Sequence, residues 1–139
     1  MGLLTFKGGI HPDDGKRFSK DQPIRPVVPQ GELVYPLSQH IGAPAKPVVK
    51  KGDCVLKGQL IAEAGGFVSS PIYSSVSGKV KGLEQRVNPT GSQVECIVVE
   101  NDGEYKEVEY EPVKPLEEMT REEIINKIGD AGIVGMGGA

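Results

Sequence analysis

Residues 48–80 read VVKKGDCVLKGQLIAEAGGFVSSPIYSSVSGKV. Within them, V-x-x-G-D-x-V-x-x-G-Q-x-I-x-E from Val49 to Glu63 packs two turns and two short strands into one compact pattern. Val49, Val55, Leu60 and Ile61 are available for burial, and Gly52-Asp53 and Lys57-Gly58 supply turns, because glycine tolerates positive φ and aspartate bonds nearby backbone. Downstream, S-x-V-S-G-K-V from Ser74 to Val80 repeats the strand–turn–strand cadence through Ser77-Gly78.

Further short apolar pieces, ELVYPL (32–37), KPVVKKGD (46–53) and QVECIVVEN (93–101), flank this stretch, with a turn at Pro89-Thr90-Gly91. Residues 31–101 are therefore expected to form one β-sandwich core. Before it, residues 1–30 are interrupted so often by glycine and proline that only an extended arm is expected. After it, residues 102–115 are acidic, and alternating Tyr105, Val108 and Tyr110 predict an edge strand or a strap. Residues 116–139 open on a helix expected from Met119 to Lys127, capped by the T-x-x-E pair Thr120 and Glu123, faced by Ile124, Ile125 and Ile128, and stopped by Gly129. Ile133-Val134 is then expected to be a short strand entering a glycine turn that breaks off at Ala139, so the natural chain is expected to continue.

The bulk numbers agree with a single small domain. The 139 residues include 19 Gly, 11 Pro and no Trp, a composition of tight turns and short strands rather than long helices. A net charge of −3 argues against nucleic acid, which demands a clustered excess of Lys and Arg. Lys46, Lys50, Lys51 and Lys57 do cluster, but Gly52 and Asp53 interrupt them as in a solvated turn. No leader pattern is present and no apolar run nears the roughly 20 residues of a membrane span, so the chain is expected to be soluble and intracellular by itself.

Candidate chemistry is sparse. Cys54 and Cys96 lie outside any C-x-x-C pattern and are expected to be buried reduced thiols. His11 and His40 are the only histidines, each expected to hold its loop through a side-chain to backbone hydrogen bond. Asp13 and Asp14 are adjacent in a Gly- and Pro-rich turn where solvation is expected, not acid–base work. No catalytic set and no metal site are read.

The 49–63 and 74–80 patterns together resemble the lipoyl and biotinyl carrier domains and the wider barrel-sandwich hybrid group. In those carriers the modified lysine sits about three residues past the position of Glu63, where this chain has Gly65-Gly66-Phe67. The nearest lysines, Lys57 and Lys79, fall in neighbouring turns. A lipoyl- or biotinyl-like carrier, or a stand-alone ligand-binding β-sandwich, is the alternative reading.

Four ordered segments decide between the readings. TFKGGIHPDDGK, YPLSQHIGAPAKPVVKKGD, KGQLIAEAGGFVSSPIYSSVSGKV and the terminal GIVGMGGA resemble the C subunits of Rnf complexes, the membrane-bound ion-translocating ferredoxin:NAD oxidoreductases, from about Thr5 to the last residue. That resemblance implies a barrel-sandwich hybrid leading into a truncated flavin- and NADH-binding domain similar to that of respiratory complex I. It implies two [4Fe-4S] clusters, FMN and NADH in the whole protein, none of them held by this part. It also implies that Gly135, Gly137 and Gly138 begin the glycine-rich FMN/NADH loop, where backbone N–H groups can approach phosphate. The expected partners are the other Rnf subunits, and the expected place is the cytoplasmic side of the cell membrane, peripheral, with no span of its own. The lysine-free sandwich is then a docking and spacing module, inactive alone.

Overall fold

A computed structural model describes residues 12–88 and 90–135. Among them run seven strands and one α-helix: β1 (Glu32–Pro36), β2 (Lys46–Pro47), β3 (Cys54–Val55), β4 (Leu60–Glu63), β5 (Ile72–Tyr73), β6 (Gly78–Val87), β7 (Gln93–Asn101) and α1 (Arg121–Asp130), with 3-10 turns at Lys16–Phe18 and Leu116–Glu118. The order β1-β7-β6-β3 makes one antiparallel sheet and β2-β4-β5 a second. This is the mainly β architecture expected from the turn spacing, and its two curled sheets fit the barrel-sandwich hybrid that the resemblance implies.

The long hairpin β6–β7 is the spine, paired from Gly78↔Asn101 to Val87↔Gln93. An irregularity between Val80 and Gly82 inserts one extra residue, Lys81, which bends the strand and curls the sheet. Val80, Ile97 and Val99 meet Val55, Ile61, Ala62, Val76, Tyr35 and Leu37 in one core cluster. A second irregularity, between Leu60 and Ala62, lets Ile61 and Ala62 both point inward while Leu60 stays partly exposed. The expectation that Leu60 is buried with Ile61 is corrected by that bulge. Ser77-Gly78 is also not a turn, since Gly78 opens β6 and pairs with Val55; Pro89 lies outside the described residues.

One buried phenol closes the core. The Tyr35 hydroxyl bonds the Ser75 hydroxyl at 2.9 Å and accepts the Ser75 N–H at 3.0 Å, while the Ser74 hydroxyl donates to the Val76 carbonyl at 2.7 Å. β1 is thereby tied to the β5–β6 connection with every one of these polar atoms partnered.

Residues 102–115 form a strap. It is tied to the β3–β4 connection by a bridge between Lys57 and Glu107, where Lys57 N–H donates to the Lys106 carbonyl at 2.8 Å and Val108 N–H to the Lys57 carbonyl at 3.0 Å, and to Ser77, whose carbonyl accepts the Asp102 N–H at 3.1 Å and whose hydroxyl accepts the Lys106 N–H at 3.0 Å. Tyr105 takes φ 52°, unusual for a side chain of its size. That conformation sends its hydroxyl to the Pro29 carbonyl at 2.5 Å, where the Asn101 amide also donates at 2.9 Å. The end of the arm is thus fastened to the strap.

Helix α1 begins where the capping box predicts. Thr120 Oγ1 accepts the Glu123 N–H at 3.2 Å and the Glu123 carboxylate accepts the Thr120 N–H at 2.6 Å. It ends later than expected. Gly129 lies inside the helix, which runs to Asp130, and the reversal comes at Gly132, φ 70°, packed beside the Pro71 carbonyl and the Tyr73 ring. The Tyr73 hydroxyl donates to the Asp130 carbonyl, so contact with β5 holds a last turn that local propensity alone would release. Ile133 and Val134 are exposed irregular chain, not a strand, because no strand among the described residues lies beside them to complete a ladder.

The cap sets two expected outcomes. Thr120→Ala should cost about 1 kcal/mol of helix stability, read as roughly fivefold faster amide exchange in the first turn of α1. The hydrogen bond from Thr120 N–H, then that from Lys114, holds the Glu123 carboxyl down at about 2 from an ordinary 4.5. A carboxylate depressed in the folded state stabilises fully above its unfolded value and loses that contribution as pH falls through the folded one. The helix should therefore fray progressively between about pH 4.5 and pH 2, and Glu123→Ala should flatten that dependence in exchange measurements.

Candidate docking site

Where a carrier domain would offer its lysine, the chain builds an apolar, uncharged tip. The register Lys46↔Glu63 and Pro47↔Ala62 sets the β1–β2 connection beside the β4–β5 connection. Ala43 N–H donates to the Val68 carbonyl at 2.9 Å and Gly65 N–H to Ser69 Oγ at 2.8 Å. A Cβ on Gly42 would overlap the Val68 carbonyl, and one on Gly65 would overlap the Pro44 carbonyl. The two loops can touch backbone to backbone only because these side chains are missing. From this paired base Phe67 stands out at 105% exposure, with Ile41 at 78% and Val68 at 57%. A phenylalanine left in water forgoes about 1.5–3 kcal/mol that burial would provide, so its outward position contributes nothing to the fold.

The lysines sit elsewhere. Lys57 Nζ pairs with Glu107 at 2.5 Å, and that hydrogen bond and charge push its pKa up. Lys79 lies in β6, opposite Cys54 and Glu100. Lys46, Lys50 and Lys51 are exposed, and the Lys50 and Asp53 backbones close a turn by the Asp53 N–H to Lys50 carbonyl bond at 3.1 Å, as the interrupted basic run predicts.

At the other end, Gly135 is exposed chain with no other heavy atom within 4 Å of where a side chain would be, and Gly137 and Gly138 lie outside the described residues. An open cleft between α1, the strap and β5, lined by Tyr73, Val108, Tyr110 and Lys127, is shaped by the Tyr73–Asp130 contact; partial burial, then the Asp130 charge, pushes the Tyr73 phenol up.

Both cysteines are free, but only Cys96 is buried, and burial pushes its thiol up. Cys54 is exposed because side chains alternate along β3, so that with Val55 facing the core Cys54 faces outward, correcting the expectation of two buried thiols. His40 Nδ1 bonds the Ile41 carbonyl at 2.9 Å, as expected of a loop-holding histidine; His11 lies outside the described residues. Asp13 and Asp14 accept the N–H groups of Gly15 and Lys16, each at 3.0 Å, and pair with Arg17 and Lys16. Among the described residues no three His, Cys, Asp or Glu gather as metal ligands. Cys54 in β3 and Cys96 in β7, with β6 between those strands, are the two cysteines of the sequence and do not make up the four thiolates of a [4Fe-4S] cluster.

Phe67, Ile41 and Val68 escaped sequence reading as site residues. The signal was present: residues 38–45 and 64–71 contain no Asp, Glu, Lys or Arg, in a chain 25% charged.

Comparison with known proteins places these features in context. The family model described as RnfC Barrel sandwich hybrid domain matches residues 4–104. The chain is 45% identical over 138 residues to the C subunit of the proton-translocating ferredoxin:NAD(+) oxidoreductase complex of Clostridium ljungdahlii, covering 99% of this chain and 30% of that protein. It is 43% identical over 136 residues to the C subunit of the Na(+)-translocating ferredoxin:NAD(+) oxidoreductase complex of Acetobacterium woodii, covering 97% and 31%. To the C subunit of the ion-translocating oxidoreductase complex of Haemophilus influenzae it is 36% identical over 139 residues, covering 99% and 21%. The chain thus spans less than a third of the length of these relatives. Relatives named for protons and for sodium match almost equally, so this span is common to both kinds of complex.

Proposed function

The chain belongs to the family of RnfC barrel-sandwich hybrid domains, and from that premise we propose that it is the docking and spacing module of the C subunit in an Rnf-type ion-translocating ferredoxin:NAD oxidoreductase complex. The observation that carries this reading is the tip, built on two glycines whose close approach excludes a side chain and ending in an exposed phenylalanine rather than a lysine. A swinging-arm carrier needs a free amine there; an attachment surface needs a stiff apolar projection. The whole protein then exchanges electrons with NADH through FMN and two [4Fe-4S] clusters carried by the parts of such subunits outside this span. Among the described residues no helix is long and apolar enough to cross a membrane, which supports peripheral attachment, proposed to be on the cytoplasmic side.

Deleting residues 12–104 from the full-length protein should leave flavin and NADH binding intact and abolish its co-purification with the membrane complex. Normal co-purification of the deletion would overturn the docking reading. Co-expression with lipoate and biotin ligases should add no mass to residues 1–139; a stoichiometric gain matching either group would restore the carrier reading.

A further inference from the structure

We propose that Tyr105 is a latch that makes docking of the N-terminal arm and of the strap one cooperative event, so that drawing the arm away from the sandwich releases the strap. Strain is the first observation. Among the described residues Tyr105 is the one non-glycine with positive φ, at 52°, a left-handed conformation that crowds its Cβ and persists only where the surroundings over-determine it. Its ring packs against the core cluster and its hydroxyl donates to the Pro29 carbonyl at 2.5 Å. Asn101 completes the node. Its side-chain amide donates to the same carbonyl at 2.9 Å and to the Tyr105 hydroxyl at 3.1 Å, while its backbone N–H donates to the Gly31 carbonyl at 3.1 Å. A single carbonyl of the arm is therefore the shared acceptor for the end of β7 and for the strap.

The second observation is what the strained residue aligns. Directly after it, Lys106 N–H donates to the Ser77 hydroxyl at 3.0 Å, and the Lys106 carbonyl and Val108 N–H close the bridge to Lys57. Before it, the Asp102 carboxylate accepts the hydroxyl of Ser77 at 2.7 Å, and Ser77 is only 1% exposed. The strap thus has fixed points on both sides of Tyr105, and rotation of Tyr105 to an ordinary φ would swing residues 106–108 away from theirs. With the Pro29 carbonyl in place, the hydroxyl bond offsets the strain; without it, that rotation relieves the strain. The arm supplies the acceptor, and the residue it holds sets the path of the strap toward α1.

Hydrogen exchange on the full-length protein tests the coupling at the Lys57, Lys106 and Val108 amides. Deletion of residues 1–30, which removes the Pro29 carbonyl, should speed exchange there about tenfold, and Tyr105→Phe, which keeps the ring but not the donor, should do the same. Combined, the two changes should again give about tenfold and not about a hundredfold, because each breaks the same bond. Amides paired along β6 and β7 should exchange as in the parent. Unchanged exchange at the three strap amides in either single variant would overturn the latch. Multiplied effects in the combination would overturn it as well, since arm and strap would then be held independently. Equal acceleration along β6 and β7 would do so too, by making the node part of the global fold and not a local release.

Discussion

Ile61→Ala is expected to destabilise the domain by about 2–5 kcal/mol, a large share of what a small domain possesses. Ile61 is 0% exposed and sits in β4 of the second sheet, clustered with Val55, Val80 and Ile97 of the first sheet and with Val76 of the β5–β6 connection. Removing three carbons there leaves a cavity that the bulged strand cannot close, because Ala62, its neighbour, is already fully buried and small. Leu60→Ala, one residue earlier, should cost about 1 kcal/mol or less, since Leu60 is 36% exposed on the other side of the bulge. Urea unfolding of the two variants measures the difference. Equal losses would mean that Leu60 is as deeply buried as Ile61 and that the bulge does not set them apart.

Gly65→Val should cost about 1–3 kcal/mol, through overpacking against backbone that has nowhere to move. The first atom of the new side chain would fall on the Pro44 carbonyl, forcing apart the 38–45 and 64–71 loops and breaking the Ala43–Val68 bond. Gly66→Ala is the control. Its Cβ would meet the Ala43 Cβ at 3.3 Å, a contact that a small shift relieves, so its effect should stay within about 0.5 kcal/mol. The same geometry predicts that Gly65→Lys would open the tip instead of recreating a carrier site. Thermal unfolding together with proteolysis at the tip would separate the outcomes; equal tolerance of Gly65→Val and Gly66→Ala would show that the loops are not paired.

Much of this protein was legible before any coordinates, and the legible parts share a range. The Thr120–Glu123 cap spans three residues and closes on its own N–H groups; the Gly52-Asp53 turn is satisfied by Lys50 within the same turn; His40 bonds the next residue's carbonyl. Alternating valines and isoleucines between such turns specify strands because backbone and side-chain preferences act within a few residues. The same short range made it evident that no lysine stands at the hairpin tip.

What only the tertiary structure decided depends on partners far along the chain. Cys54 and Cys96 read alike in sequence, but Cys54 takes the outward position of β3 while Val55 faces the core, and Cys96 opens the stretch Cys96–Val99 of β7 that is buried throughout. Gly129 carries an ordinary stop signal, but a Tyr73 hydroxyl 57 residues away holds the helix through it to Asp130. Ile133 and Val134 are strand-like residues with no adjoining edge among the described residues to pair with. The functional tip is the clearest case: Gly42 and Gly65 look like ordinary loop glycines until the Lys46↔Glu63 register brings their loops together. Local chemistry determines which elements form; which of their groups meet, and which are left facing water, is settled only when the chain closes over long loops and excluded volume leaves one arrangement.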